Sequence, residues 1–133
     1  MSEHDNQCAV IQWKNMLQNR YIALGLLFAV PNGAKLPWAR NKRGQRYSKE
    51  AINLLNEGLQ PGVPDLILPV ARHGYHGLAI ENKYGRNKLT QEQKWWISSL
   101  EAQGWLTAVC YSADEAIGIL RDYLDIPEFE VLT

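Results

Sequence analysis

A chain of 133 residues, 46% hydrophobic and 21% charged, has the length of one domain (residues 1–133) and enough apolar content to bury a core. That composition excludes a disordered tail, a collagen-like fibre and a multidomain assembly. The longest apolar run, Tyr21 to Val30, is about half of the roughly 20 residues that a membrane span needs. Met1-Ser-Glu-His-Asp5 has no basic stretch, so neither a transmembrane helix nor a signal peptide is expected. Cys8 and Cys110 lie far apart with no CxxC spacing, which predicts reduced core thiols and a cytoplasmic protein. Net charge is zero, yet Lys35 to Lys94 holds eleven bases against five acids, while seven acids and one base, Arg121, follow Leu100. A surface that meets a polyanion produces such segregation, and so do ordinary solvated faces.

Val10, Trp13 and Leu17 fall at helical spacing, with Asn6 or Gln7 and Glu3 continuing the stripe, so a first helix is expected from Ser2 to Arg20. A short extended segment, Leu26 to Val30, stops at Pro31-Asn32-Gly33. Lys35 to Tyr47 has no clean period and reads as a loop. Ser48 can cap a helix carrying Ala51, Ile52, Leu55 and Leu59, with Gly58 near its end. Strands are expected at Val63 to Val70 and Gly77 to Tyr84, each covered on both faces because both parities are apolar. Thr90 and Gln93 form a capping-box pattern opening a helix that places Gln93, Trp96, Ile97 and Leu100 on one face and ends at Gly104. A β-rich run from Trp105 to Tyr111 precedes a second such pattern, Ser112 and Glu115, opening a helix with Ile117, Leu120 and Leu124 inward. The expected order is α-β-α-β-β-α-β-α, an α/β fold in which a mixed β-sheet is flanked by helices. The 77–84 and 105–111 strands are parallel through a right-handed crossover, and 63–70 is antiparallel to its neighbour.

The chemistry concentrates at Asp65 and Glu81-Asn-Lys83. Side chains two apart on a strand share a face, so Glu81 and Lys83 point together and Asn82 points away. A hairpin symmetric about His73 sets Asp65 opposite Glu81, and facing carboxylates need a shared proton or a cation. Carboxylate oxygens suit Mg²⁺ or Mn²⁺, and a lysine beside the ion can orient an attacking water and offset charge on a phosphate. A structural ion pair among the three is the other reading of these residues alone. Lys35, Arg40, Lys42, Arg43, Arg46 and Lys49 form an acid-free basic segment interleaved with Trp38 and Tyr47. Such a segment can follow a nucleic-acid backbone or simply be solvated. Asn32-Gly33 offers a close backbone approach to a phosphate or a plain turn. His73-x-x-His76 lacks a third zinc ligand, His4 can touch a phosphate or cap its helix, and no P-loop or HExxH pattern is present, so no nucleotide cofactor is expected.

Pro64-Asp65, then Glu81-x-Lys83, with a glutamate on a preceding helix and a glutamine on the following one, resembles the PD-(D/E)xK nucleases. More narrowly, five segments in order resemble the virus-type replication-repair nuclease (VRR-NUC) family. They are Ser2-Glu-His-Asp5, Val30-Pro-Asn-Gly33, Gly58 with Gly62-Val-Pro-Asp-Leu66, Gly77 to Lys83, and Leu89-Thr-x-x-Gln93. That resemblance implies a restriction-endonuclease-like core with Asp65, Glu81 and the backbone carbonyl of Asn82 as metal ligands. It also implies Lys83 as the catalytic lysine, Glu3 reaching the metal directly or through water, and Gln93 beside the site. Asn82 departs from the pattern, where an apolar residue is usual. The implied activity is Mg²⁺- or Mn²⁺-dependent hydrolysis of DNA phosphodiesters, structure-selective on branched DNA such as four-way junctions, by a homodimer in DNA repair. A less selective nicking or flap nuclease, and a silent DNA-binding module, are the alternatives. The apolar run Tyr21 to Val30 and Trp95 are the candidate dimer interface.

Overall fold

The computed structural model describes residues 2–31 and 39–128, and the sequence readings on Asn32, Gly33, Lys35 and Trp38 lie outside the described residues. Helix α1 spans Glu3–Leu17, shorter at its end than the periodicity predicts; Ser2 Oγ caps it by accepting the Asp5 N–H. A 3-10 helix, Ile22–Leu26, occupies the start of the apolar run, leaving only Phe28–Ala29 as strand β1. Where a loop is expected, residues 39–47 form a hairpin of β2 (Ala39–Arg40) and β3 (Arg46–Tyr47). Its turn is built by Asn41, whose Oδ1 accepts from the N–H groups of Arg43 and Gln45, and by Gly44 at φ +75°. Helix α2, Lys49–Asn56, begins at the Ser48 cap.

Strands β4 (Leu66–Leu68) and β5 (Leu78–Asn82) are followed by α3 (Gln91–Ala102), β6 (Leu106–Cys110) and α4 (Ala113–Leu124). Thr90 and Gln93 complete their capping box. At the second such site only half forms: Ser112 accepts the Glu115 N–H, whereas the Glu115 carboxylate turns outward to accept from Tyr111 N–H. The four main strands run in the order β1-β4-β5-β6, with β5 and β6 parallel and the other pairs antiparallel.

Register decides which residues share a face. Leu66 pairs with Ile80, Ile67 with Ala79 and Leu68 with Leu78. Leu66, Leu68, Leu78 and Ile80 therefore lie on one face and join the core with Val10 and Leu17 of α1 and Ala116 and Leu120 of α4. Asp65, Ile67, Ala79, Glu81 and Lys83 have the opposite parity, and α3 covers that side, packing on β6 and bonding Glu81 through Gln93. The β4–β5 loop is tied to α4 by the buried Tyr123 hydroxyl, which donates to Val70 O at 2.6 Å. His73, at φ +53°, contacts the Tyr123 carbonyl through Nε2 at 3.1 Å, and His76 lies beside Gly104, while both residues stay exposed on the loop. Cys110 is a buried thiol as expected, but Cys8 is exposed beside His4 on the outer side of α1. Among the described residues, no helix is long and apolar enough to cross a membrane.

Candidate active site

Asp65 precedes β4 and Glu81 lies within β5, and extending the observed register by one pair sets them opposite each other. Two hydrogen bonds lock Asp65 into the sheet: its carbonyl accepts the Val30 N–H at 2.8 Å, and its Oδ2 accepts the Asn82 N–H at 2.8 Å. The carboxylate is thus aimed across the strand gap at β5. Lys83, two residues beyond Glu81 on the same face, donates its backbone N–H to Cys110 O at 2.8 Å. All three side chains are buried, an unusual place for charge unless it is compensated.

Glu81 has one satisfied oxygen and one orphan. Oε1 accepts from Gln93 Nε2 at 2.7 Å, while Oε2 is fully buried and accepts no well-formed hydrogen bond among the described residues. Gln93 does this while its own Oε1 accepts the Thr90 N–H, so the capping box that starts α3 also holds the carboxylate. Burial, and then the facing Asp65 charge, push the Glu81 carboxyl up to about 8; Lys83 pulls it down, and Glu3 adds to the rise. An orphaned acceptor opposite a second carboxylate fits a hard cation, because oxygen donors are what Mg²⁺ and Mn²⁺ take.

Glu3 is near enough to act on Glu81 through space, and among the described residues no three His, Cys, Asp or Glu side chains converge as a metal cage. Helix α1 packs against β5, where Asn82 Nδ2 donates to Gln7 Oε1 at 3.3 Å on the face opposite Glu81. The same bond accounts for a polar residue at position 82, whose side chain faces α1 and leaves the carboxylate side untouched. Arg40, Lys42, Arg43 and Arg46 all project from the β2–β3 hairpin and are exposed. Periodicity missed that hairpin, although Asn41-x-x-Gly44 carries its turn signal.

An aspartate and a glutamate facing across adjacent strands, with a lysine two residues on and helices on both sides of the sheet, are the arrangement that the resemblance to the PD-(D/E)xK nucleases implies. A model of the VRR-NUC domain matches residues 29–114, so the chain belongs to the VRR-NUC family of nucleases, whose members act on DNA. A solved structure described as a VRR_NUC domain protein superposes with a TM-score of 0.72 at 25% sequence identity, over 100% of this chain and 97% of the other. No curated protein matches the chain.

Proposed function

We propose that this protein is a Mg²⁺- or Mn²⁺-dependent DNA endonuclease acting at Asp65, Glu81 and Lys83. The observation that carries the reading is the buried Glu81 carboxylate, set opposite Asp65 and two residues from Lys83, whose Oε2 accepts no well-formed hydrogen bond among the described residues. Asp65, Glu81 and the Asn82 carbonyl would hold the ion, which when bound offsets the carboxylate charge and polarises a phosphodiester. Lys83 orients the attacking water and stabilises the charge that builds on the phosphate oxygens. Gln93 fixes the direction of the Glu81 carboxylate, and Glu3 acts from the rim through water. Arg40, Lys42, Arg43 and Arg46 hold the DNA backbone, as do Lys35 and the Asn32-Gly33 backbone.

Branched DNA is the proposed substrate. A four-way junction is nearly two-fold symmetric, and paired incisions need two sites on a matching axis, hence a C2 dimer. Ile22 at 81% exposure, Leu26 and Phe28 line the rim beside edge strand β1, and Trp95 is 62% exposed, which supports these two patches as the interface. The test is cleavage of linear, flap and four-way DNA with Mg²⁺, Mn²⁺ or chelator, together with solution mass. Metal-dependent paired incisions by a dimer are expected. Paired incisions by a strict monomer would sink the dimer reading, and single nicks by a monomer would favour the flap or nicking nuclease. DNA binding without cleavage under any metal would favour the silent module.

A further inference from the structure

A cavity of about 340 Å³ adjoins the two carboxylates, and apolar side chains make up much of its lining. Val30, Leu55, Leu59 and Val63 supply an aliphatic trough, and the same cavity is lined by the carboxylate residues Asp65, Glu81 and Glu92. The trough exists because α2 is amphipathic yet buries only Ala51, which lies outside the main core; Ile52 and Leu55 each stay 47% exposed. Its far wall is held firmly. At Gly62, φ +90°, a Cβ would stand 2.6 Å from the backbone carbon of Glu92, so this loop sits directly on the first turn of α3.

We infer that this cavity receives the base of the nucleotide beside the scissile phosphate, drawn out of its stack; the inference rests on the nuclease reading above. One volume here joins carboxylates suited to a cation-bound phosphate and aliphatic side chains suited to a flat, weakly polar ring, which is the division of chemistry within one nucleotide. The volume lies in the roughly 300–1,000 Å³ range of sites that enclose small ligands. Apolar side chains grip the faces of an extruded base by stacking, and Gln60 and Thr90 on the lining offer polar groups for its edge. The consequence is a substrate rule. Unstacking costs least where a base is already unpaired, so within each active site the enzyme favours flaps, branch points and frayed ends through the state of one nucleotide.

The test compares wild type and Leu55→Trp, which fills the trough from a half-exposed position, on matched oligonucleotides with Mn²⁺. The nucleotide flanking the cleaved bond is paired, unpaired or abasic. For wild type, cleavage about tenfold or more faster at the unpaired base is expected, with the advantage lost at the abasic site, since a flipped base is then missing. Leu55→Trp should collapse the unpaired-to-paired ratio towards one. As an independent readout, 2-aminopurine at that position should brighten when Lys83→Ala protein binds, and should stay quenched when Leu55→Trp is added to it. An unchanged ratio in Leu55→Trp, or a quenched 2-aminopurine on Lys83→Ala, would overturn the inference while leaving the nuclease reading intact. Absence of cleavage on every oligonucleotide by wild type would instead overturn the nuclease reading on which it is built.

Discussion

The β4–β5 carboxylates and the β2–β3 hairpin carry opposite designs. Asp65, Glu81 and Lys83 are buried at the sheet and held by bonds to Val30 just after β1, to β6 and to α3. The hairpin is held by its own turn, with Arg40 Nη1 donating to Gly44 O and Asn41 bonding Gln45, and its basic side chains are exposed. Chemistry at a phosphorus atom needs donors fixed to a fraction of an ångström, whereas attraction to a phosphate backbone acts over a Debye length, about 8 Å at physiological salt. The two regions should therefore respond to substitution in different ways.

The largest effects belong to the sheet. Asp65→Asn or Glu81→Gln should abolish metal-dependent cleavage in a protein that still folds and binds DNA. A structural ion pair would instead cost stability and spare activity per folded molecule, which circular dichroism beside a cleavage assay separates. Lys83→Ala should bind the ion and lose about 10²–10⁴ in kcat, the range of a positioned proton-handling group; loss of metal binding, read by calorimetry, would contradict that division. Gln93→Ala should weaken metal affinity by about 10–100-fold, as removal of a group that orients a ligand does. Thr90→Val removes the hydroxyl cap but keeps the Gln93 bond to Glu81, so it should cost about 1 kcal/mol of stability and little metal affinity.

The raised carboxyl of Glu81 gives a pH signature with a definite sign. The unfolded chain gives up this proton near 4.5 and the folded chain holds it to about 8. Stability contributed by the protonated form is thus complete below the lower value and is lost as pH rises through the upper one. In chelator, the melting temperature should fall between pH 5 and pH 9, and Glu81→Gln should flatten that fall. Metal competes with the same proton, so affinity should climb with pH and level off above about 8. A metal affinity constant from pH 5 to pH 8 would remove the proposed coordination by Glu81.

The smallest effect per residue belongs to the hairpin. Replacing Arg40, Lys42, Arg43 and Arg46 one at a time should weaken linear and branched DNA alike, leaving kcat at saturation nearly unchanged. Each side chain that neutralises a phosphate should, once replaced, flatten the slope of log affinity against log salt by about 0.9 on duplex DNA. An unchanged slope would assign these side chains to solvent.

Local pattern was enough for much of this molecule. The caps at Ser48 and Thr90, the stop at Gly104 and the pairing of Asp65 with Glu81 through a symmetric β4–β5 loop were all legible, because each depends on spacing within a short stretch of chain. So was the placement of Asn82 away from Glu81 and Lys83, which needs only the two-residue period of a strand. What the sequence could not determine depends on how distant elements meet. The exposure of Ile52 and Leu55 follows from α2 standing off the core, and helical spacing alone says nothing of whether an apolar face finds a partner. The meeting of Gln7 on α1 with Asn82 on β5 joins residues far apart in the chain. The orphaned oxygen of Glu81 arises only when β4, β5 and α3 close around it, since burial and the exclusion of water are properties of the assembled layers and not of any one segment.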